Sequence, residues 1–395
     1  MKIDTDVRKI DELLGRSVED VFVLDHIREQ LLSGKKLRIK FGIDPTGPSI
    51  HLGRAVPLWK LRAFQDLGHQ IVIIVGDFTA TIGDPSDKIE KRPMLDRKTI
   101  ERNMKEYKKI IGKIIDIKKA EFTYNSSWLK KLNFAEISQL AESFSVQQMS
   151  SRRNFKDRIE AGTDISLREF LYPLMQGYDS VAVKSNVEIG GFDQLFNLKA
   201  GRTIQKHYGQ PEQDVLTTAM LEGTDGRKMS TSWGNVILIT DEANDMFGKV
   251  MSLHDDLIVK YFSLATASTT EEIDQIQKEL ASGVNPRDMK ILLGKKIVAR
   301  YHGDKAASDA EAHFIATFQK KEIPDDIDTI DAHPGETFSE ILLRATIIES
   351  KGEFRRLVEQ GAVHDLGTNT AVTDPFSPAL PGIYRIGKRR FIKIT

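Results

Sequence analysis

The sequence predicts an α/β chain: a doubly wound parallel sheet, then an α-helical domain, then a small α+β domain. Three observations carry that prediction. Residues 37–76 run strand, Pro/Gly turn, helix, strand, the order of a right-handed βαβ unit. Residues 214–222 give a further strand signal and lead into the loop Gly223–Gly234. After Val236 the apolar period becomes helical, and short strands return only in residues 336–395.

Each element has its own warrant. Leu37 to Asp44 is a short strand-like run that ends in Pro45-Thr46-Gly47-Pro48. Residues 51–67 place Leu52, Ala55, Val56, Trp59, Ala63, Phe64 and Leu67 near helical spacing, and Gly68 stops the helix. Pro57 lacks an N–H and suits only the first turn or a kink. Gln70 to Gly76 is the apolar run of a buried parallel strand. Residues 96–115 line up Ile100, Met104, Tyr107, Ile111 and Ile114 on one helix face. Together these place an α/β domain at 1–235. Segments 241–266, 269–282 and 285–303 read as helices and give an α-helical domain at 236–320. The acidic, proline-bracketed stretch 321–335 reads as a linker to the last domain, 336–395.

Composition narrows the class. A chain of 395 residues suggests two or three domains, and 40% apolar with 29% charged residues is ordinary for a globular protein. No apolar run nears the roughly 20 residues of a membrane span, and Met1-Lys2-Ile3-Asp4 runs into charged sequence, against a secretory signal. The absence of cysteine excludes disulfides and thiolate metal sites and fits the cytoplasm. The histidines form no His-x-x-x-His pair, so no fixed metal is expected. Net charge is zero, so nucleic-acid binding cannot be read from the total. Beyond Pro375, however, Arg385, Lys388, Arg389, Arg390 and Lys393 meet no acidic residue. That cluster suits phosphate contact, and equally a solvated tail.

Two motifs carry chemistry. A strand, a Pro/Gly turn and a helix opening at His51 can present a nucleotide phosphate to backbone N–H groups. The His51 imidazole can donate to phosphoryl oxygens, and Gly53 allows close approach to the backbone. Alone, His51-Leu52-Gly53 equally describes a histidine capping a helix. Gly42, Asp44, Pro45 and Thr46 upstream favour the nucleotide. The second motif, Lys228-Met229-Ser230-Thr231-Ser232, follows the Gly-rich, basic Gly223-Thr224-Asp225-Gly226-Arg227. A lysine on such a loop can neutralise departing pyrophosphate; a charged surface turn is the alternative.

Paired, the motifs resemble the HIGH and KMSKS signatures of class I aminoacyl-tRNA synthetases. Nearly the whole chain resembles bacterial tyrosyl-tRNA synthetases, in the branch with Gly76-Asp77-Phe78-Thr79 before Ile82-Gly83-Asp84-Pro85-Ser86. The block Glu169-Phe170-Leu171-Tyr172-Pro173-Leu174-Met175-Gln176-Gly177-Tyr178-Asp179, the block Ile189-Gly190-Gly191-Phe192-Asp193-Gln194 and Asn197 also match. The resemblance implies a Rossmann-type catalytic domain that forms tyrosyl-adenylate from L-tyrosine and ATP, then charges the 3′ end of tRNA(Tyr). It implies that Asp84, Tyr172 and Gln176 hold the substrate ammonium, that Asp179 accepts the phenol, and that Lys40 and Gln194 complete the tyrosine site. Spacing agrees for the helix residues: Tyr172, Gln176 and Asp179 stand at i, i+4 and i+7, on one face.

By the same resemblance Gly42, Asp44, His51, Gly53, Gly191, Asp193, Lys228 and Met229 surround ATP. His51, Arg54, Thr46, Lys88, Arg92, Lys228, Ser230 and Thr231 serve the activation step. Mg²⁺ would arrive with ATP, and an insertion at 144–165 would form a twofold dimer contact. The chain departs from the signatures at Arg54, where HIGH ends in His, and at Thr231, where KMSKS has Lys. Arg54, with more donors and a permanent charge, is expected to take over phosphate stabilisation and part of the missing lysine's work.

Residues 337–363 resemble the RNA-binding fold of ribosomal protein S-four. Lys351, Arg355 and Arg356 on a basic helix, with Arg385, Lys388, Arg389 and Arg390, are its expected tRNA contacts; a capping module is the alternative. Two rivals stand beside tyrosine ligation. Tryptophanyl-tRNA synthetases share the fold and both signatures, but Asp179 and the long tail argue against them. A catalytically silent paralogue is motivated by Arg54 and Thr231.

Overall fold

The computed structural model describes residues 2–45, 49–83, 97–230, 233–319, 327–333, 335–368, 370–376, 378, 380–387 and 390–395. It divides into two compact units, Met1–Glu311 and Ala312–Thr395.

The first unit is built on a sheet of strands β1 (Val18–Phe22), β2 (Arg38–Ile43), β3 (Gln70–Val75), β4 (Glu121–Tyr124), β5 (Val187–Gly191) and β6 (Asp214–Thr218). Their order is β1-β6-β5-β2-β3-β4. Every neighbouring pair is parallel except β1 with β6, so the doubly wound sheet carries an antiparallel edge. Glu19 and Asp20 interrupt the apolar pattern of β1, which hid it from sequence inspection. β6 stops at Thr218, short of the expected 222, because the chain leaves the sheet there for the loop beyond.

Chain order runs from β2 outward through β3 and β4, then returns to β5 on the other side of β2. Connections therefore depart in opposite directions at the C-terminal ends of β2 and β5. A crevice opens at that switch point. Helix Leu52–Asp66 joins β2 to β3, with His51 as its N-cap: Nδ1 accepts from the Arg54 N–H at 3.3 Å. Leu52, Ala55, Val56, Leu58, Leu61 and Phe64 are buried, and Gly68 turns the chain out of the helix at φ 97°. Pro57 lies inside the helix, beyond the first turn, and cannot donate to the Gly53 carbonyl.

Helices Ala243–Met251, Ile258–Ala265, Thr270–Ala281 and Pro286–His302 follow as expected, save that the 241–266 segment breaks at a short 3-10 turn, Asp255–Leu257. Helix Asp304–Phe314 was not legible: its inner face is formed by Ala307 and Ala310, too small to mark a stripe. This helical region is bound into the first unit. The Tyr261 hydroxyl donates to the Glu222 carbonyl at 2.6 Å, Trp59 Nε1 donates to the Tyr301 hydroxyl at 3.0 Å, and Arg300 lies 3.6 Å over the Trp59 ring. The boundary expected at residue 235 is thus not a division between compact units.

The second unit holds a sheet ordered β7-β11-β10-β8-β9, from β7 (Thr329–Ile330), β8 (Val363–Asp365), β9 (Thr370–Ala371), β10 (Gly382–Ile386) and β11 (Arg390–Ile394). Helices Phe338–Arg344 and Lys351–Glu359 cover it over a core that includes Phe338, Ile341, Phe354, Tyr384, Ile386 and Ile392. The stretch read as a linker is corrected here: Thr329 and Ile330 pair in parallel with Lys393 and Ile394. A strand of two residues between prolines and carboxylates, with Thr329 exposed and Ile330 packed against the core, is too short to show a side-chain pattern. Among the described residues no helix is long and apolar enough to cross a membrane.

Candidate active site

The switch-point crevice holds a cavity of about 280 Å³. Helix Leu167–Val183 lays Tyr172, Gln176 and Asp179 along it, on the single face that their spacing required. Asp179 is only 4% exposed. Its Oδ1 accepts from Trp128 Nε1 at 2.7 Å and its Oδ2 from Asn125 Nδ2 at 3.3 Å. Burial pushes the carboxyl up to about 7, against the opposing pull of the Lys40 charge and of both hydrogen bonds. Asn125 also donates to Thr79 Oγ1 at 3.0 Å, and Thr79 donates to Asp44 Oδ1 at 2.7 Å. Asp44 in turn accepts from the Tyr172 hydroxyl at 2.8 Å. One hydrogen-bonded chain thus runs from the floor to the end of β2. Gly76 leaves it room, since a side chain there would strike Asp44 and Thr79.

The two motifs meet at the mouth. Gly53 N–H donates to Met229 Sδ at 3.3 Å, and Lys228 Nζ lies 3.4 Å from Asp193 Oδ2. The chain beyond the loop is strapped to the start of the helix: Leu52 N–H donates to the Ile237 carbonyl at 2.9 Å and Ile239 N–H to the Ile50 carbonyl at 3.0 Å. Asn235 fastens the loop itself, accepting from Ser230 N–H at 2.8 Å and donating to the Lys228 carbonyl at 3.1 Å and Asp225 Oδ1 at 2.8 Å. With Asn235 and then Arg227 bonded to it, the Asp225 carboxyl is held well below the usual carboxylate range. Arg54 extends to Tyr107, donating to its hydroxyl at 3.1 Å, and burial raises that phenol above its ordinary value.

Of the residues singled out in the sequence, Gly42, Asp44, His51, Gly53, Arg54, Tyr172, Gln176, Asp179, Gly191, Asp193, Gln194, Lys228 and Met229 line this one cavity. Lys40 does not. Its Nζ is 2.8 Å from Glu188 Oε1, both side chains are wholly buried, and it also donates to the Gln176 carbonyl and Ser180 Oγ, each at 2.8 Å. A charge with that many partners in its own wall has nothing left for a substrate. Thr46, Asp84, Lys88, Arg92 and Thr231 lie outside the described residues, as do Lys388 and Arg389. In the second unit Lys351, Arg355 and Arg356 are exposed on their helix, while Arg385 is half-buried. Arg390 is turned inward, donating to Glu353 at 2.8 Å and to the Ile347 carbonyl, so it braces its own unit.

Sequence inspection did not assign Thr79, Tyr107, Asn125, Trp128, Glu188 or Asn235. A signal existed for some. Asn125 and Thr79 follow the ends of β4 and β3, where ligands of open parallel sheets bind. Glu188 is the only charged residue in the strand Val187–Gly191, and a carboxylate buried there needs a partner. Among the described residues no three His, Cys, Asp or Glu side chains group closely enough to hold a metal ion.

A switch-point crevice walled by a helix-start histidine and a lysine-bearing loop defines a Rossmann-type nucleotide-binding enzyme. The chain belongs to the family described as tRNA synthetases class I (W and Y), which matches residues 32–319. The tyrosine–tRNA ligase of Thermotoga maritima is 43% identical over 387 residues, covering 97% of this chain and 96% of that one. That of Carboxydothermus hydrogenoformans is also 43% identical, covering 100% and 99%. In fold, the chain is similar to a C-terminally truncated mitochondrial tyrosyl-tRNA synthetase of Aspergillus nidulans, with a TM-score of 0.63 at 24% identity over 79% of this chain and 94% of that one.

Proposed function

We propose that this chain is a tyrosine–tRNA ligase whose activation step takes place in the cavity between Asp179 and Lys228. The observation that carries the tyrosine reading is Asp179: a buried carboxylate, held by Trp128 and Asn125, on the floor of the cavity. A phenol reaching the floor donates to it, whereas a phenylalanine ring would seal that carboxylate from water and offer it no hydrogen bond beyond those from Trp128 and Asn125. Tyr172 and Gln176 border the path of the amino-acid backbone, and Asp84, outside the described residues, completes the ammonium site.

ATP lies over the N-terminus of helix Leu52–Asp66. A tyrosine carboxylate oxygen attacks the α-phosphorus, the bond to the β-phosphate oxygen breaks, and pyrophosphate leaves. His51 and Arg54 donate to the phosphoryl oxygens as negative charge gathers, and Lys228 neutralises the leaving pyrophosphate. The terminal ribose hydroxyl of tRNA then attacks the tyrosyl carbonyl and AMP departs. Mg²⁺ is carried in on the ATP phosphates, where it offsets their charge. Thr46, Lys88, Arg92, Ser230 and Thr231 are assigned to the same activation step, with Ser230 serving through its place on the loop.

The exposed cations Lys351, Arg355 and Arg356 suit the tRNA backbone, and Lys388 and Arg389, outside the described residues, are assigned to the same contact. A homodimer is supported by Phe134 (85% exposed), Val146 (73%), Ile159 (53%) and Leu167 (83%), large apolar side chains around the 144–165 insertion that a second copy would cover. A chain without cysteine suits the reducing cytoplasm.

Amino-acid-dependent ATP–pyrophosphate exchange, run with all twenty amino acids, tests the reading. Exchange with tyrosine alone is expected. Exchange driven by tryptophan and not tyrosine overturns the substrate, and absence of exchange with any amino acid overturns the enzyme.

A further inference from the structure

We infer that the buried Lys40–Glu188 pair fixes which way the Gln176 carboxamide faces, making Glu188 a positioning residue for the amino group of the bound amino acid. The inference rests on the ligase reading above and gives a residue of the cavity wall, Glu188, a part in its selectivity.

The two charges stand opposite each other across β2 and β5, in register at the switch point, wholly buried and 2.8 Å apart. Such a pair is weak support for stability, because desolvating both ions offsets most of their attraction. Its geometry shows another use. Glu188 Oε1 accepts from Gln176 Nε2 at 3.1 Å, while Lys40 Nζ donates to the backbone carbonyl of the same Gln176 at 2.8 Å. Gln176 is thus gripped at both its main chain and its side chain.

The chemistry of the grip sets its sense. A carboxylate only accepts, so Gln176 must turn its NH₂ to Glu188 and its Oε1 away. Among the described residues no group donates to that Oε1, and Gln176 lines the cavity. A substrate ammonium has only donors to offer. It can pair with Oε1, but would meet a second set of donors if the carboxamide were reversed. Glu188 cannot swing aside, because Ser180 Oγ at 3.2 Å and Gln213 Nε2 also donate to its Oε2. Gly201 closes the cluster from the neighbouring helix: a side chain there would collide with Gln213 and stand 2.7 Å from Ser180 Oγ and 3.0 Å from Glu188 Oε2.

Two ligands that differ only in the amino group separate this role from simple scaffolding: L-tyrosine and 3-(4-hydroxyphenyl)propionate. Equilibrium dissociation constants are measured for both with the unaltered chain and with Glu188→Gln, whose amide lets Gln176 reverse. We expect tyrosine to bind about tenfold more weakly and the propionate within about twofold of the unaltered value. Equal weakening of both ligands, or no weakening of either, overturns the inference. If Glu188→Gln does not fold, the charge-free K40M/E188M variant replaces a buried pair with apolar side chains of similar length, a tolerated change elsewhere, and the same selective loss of tyrosine is expected. Failure of the unaltered chain to bind tyrosine would instead overturn the ligase reading, and this inference with it.

Discussion

The Gly53 N–H donates to the thioether of Met229 across 3.3 Å, joining residues 176 positions apart in the chain. The helix start proposed to face the nucleotide and the loop that carries Lys228 are therefore one structure. The contact has no slack: a methyl on Gly53 would sit 3.2 Å from Met229 Sδ and 3.2 Å from His51 Nδ1.

Gly53→Ala should accordingly separate the two motifs without unfolding the chain. We expect the maximal exchange rate to fall about tenfold, since a displacement of a few tenths of an ångström upsets groups that act by placement. The melting temperature should move by only a few degrees. A variant with unchanged exchange would show that the contact is incidental.

Asp179 should make the enzyme sensitive to pH. Its folded-state carboxyl titrates at about 7, above the ordinary 3.8. Between those values the folded chain holds the extra proton, so this group's contribution to stability falls as pH rises from about 4 to about 7. Asp179→Asn should lack that slope and be the more stable form at pH 8. The ionised carboxyl is the stronger acceptor for a phenol, so tyrosine affinity should climb as pH approaches 7. Asp179→Asn should weaken tyrosine binding about ten- to hundredfold with a flat profile. Binding titrations between pH 5.5 and 8 check both statements.

Arg54 lies at the mouth, where its guanidinium donates to the Tyr107 hydroxyl. Removing its guanidinium should slow exchange by tenfold or more, about 1.4 kcal/mol of transition-state stabilisation. The KM for tyrosine should hold, because the proposed phenol site, Asp179, lies on the floor and not at the mouth. Tyr107→Phe frees the arginine without removing it and should produce a smaller loss. Steady-state exchange kinetics on Arg54→Ala and Tyr107→Phe decide the matter, and an unimpaired Arg54→Ala would rule Arg54 out of the chemistry.

Phe134 and Leu167 project from the surface beside the insertion. The double substitution Phe134→Asp, Leu167→Asp should convert a dimer to monomers in sedimentation equilibrium while leaving the far-ultraviolet circular dichroism unchanged. A chain that already sediments as a monomer would remove the dimer from the reading.

Sequence served best where one element decides the outcome. The 52–66 helix has a strong apolar period and a histidine cap, so its limits and its role as a wall were legible. Tyr172, Gln176 and Asp179 needed only the helical repeat to be placed on one face. Lys40 shows where that reasoning ends. On strand β2 it could face the cavity or the neighbouring strand, and the choice depends on Glu188, far away in sequence and directly opposite in register. Trp128 and Asn125 were hidden for the same reason, since their partner Asp179 lies on another element. β1 was obscured by its own carboxylates. In the second unit Arg390 belonged to a basic run that looked uniform, yet Glu353 draws it inward.

Strand β7 bears on how the terminal unit can be cut free. Lys393 N–H donates to the Asp328 carbonyl at 3.0 Å, Thr395 N–H to the Ile330 carbonyl at 3.1 Å, and Ala332 N–H to the Thr395 carbonyl at 3.0 Å. A fragment beginning at Gly335 would strip those partners and leave β11 as a bare margin, ready to recruit a second molecule. One that starts ahead of Asp328 keeps the margin sealed and should stay dispersed at concentrations where the shorter piece clumps.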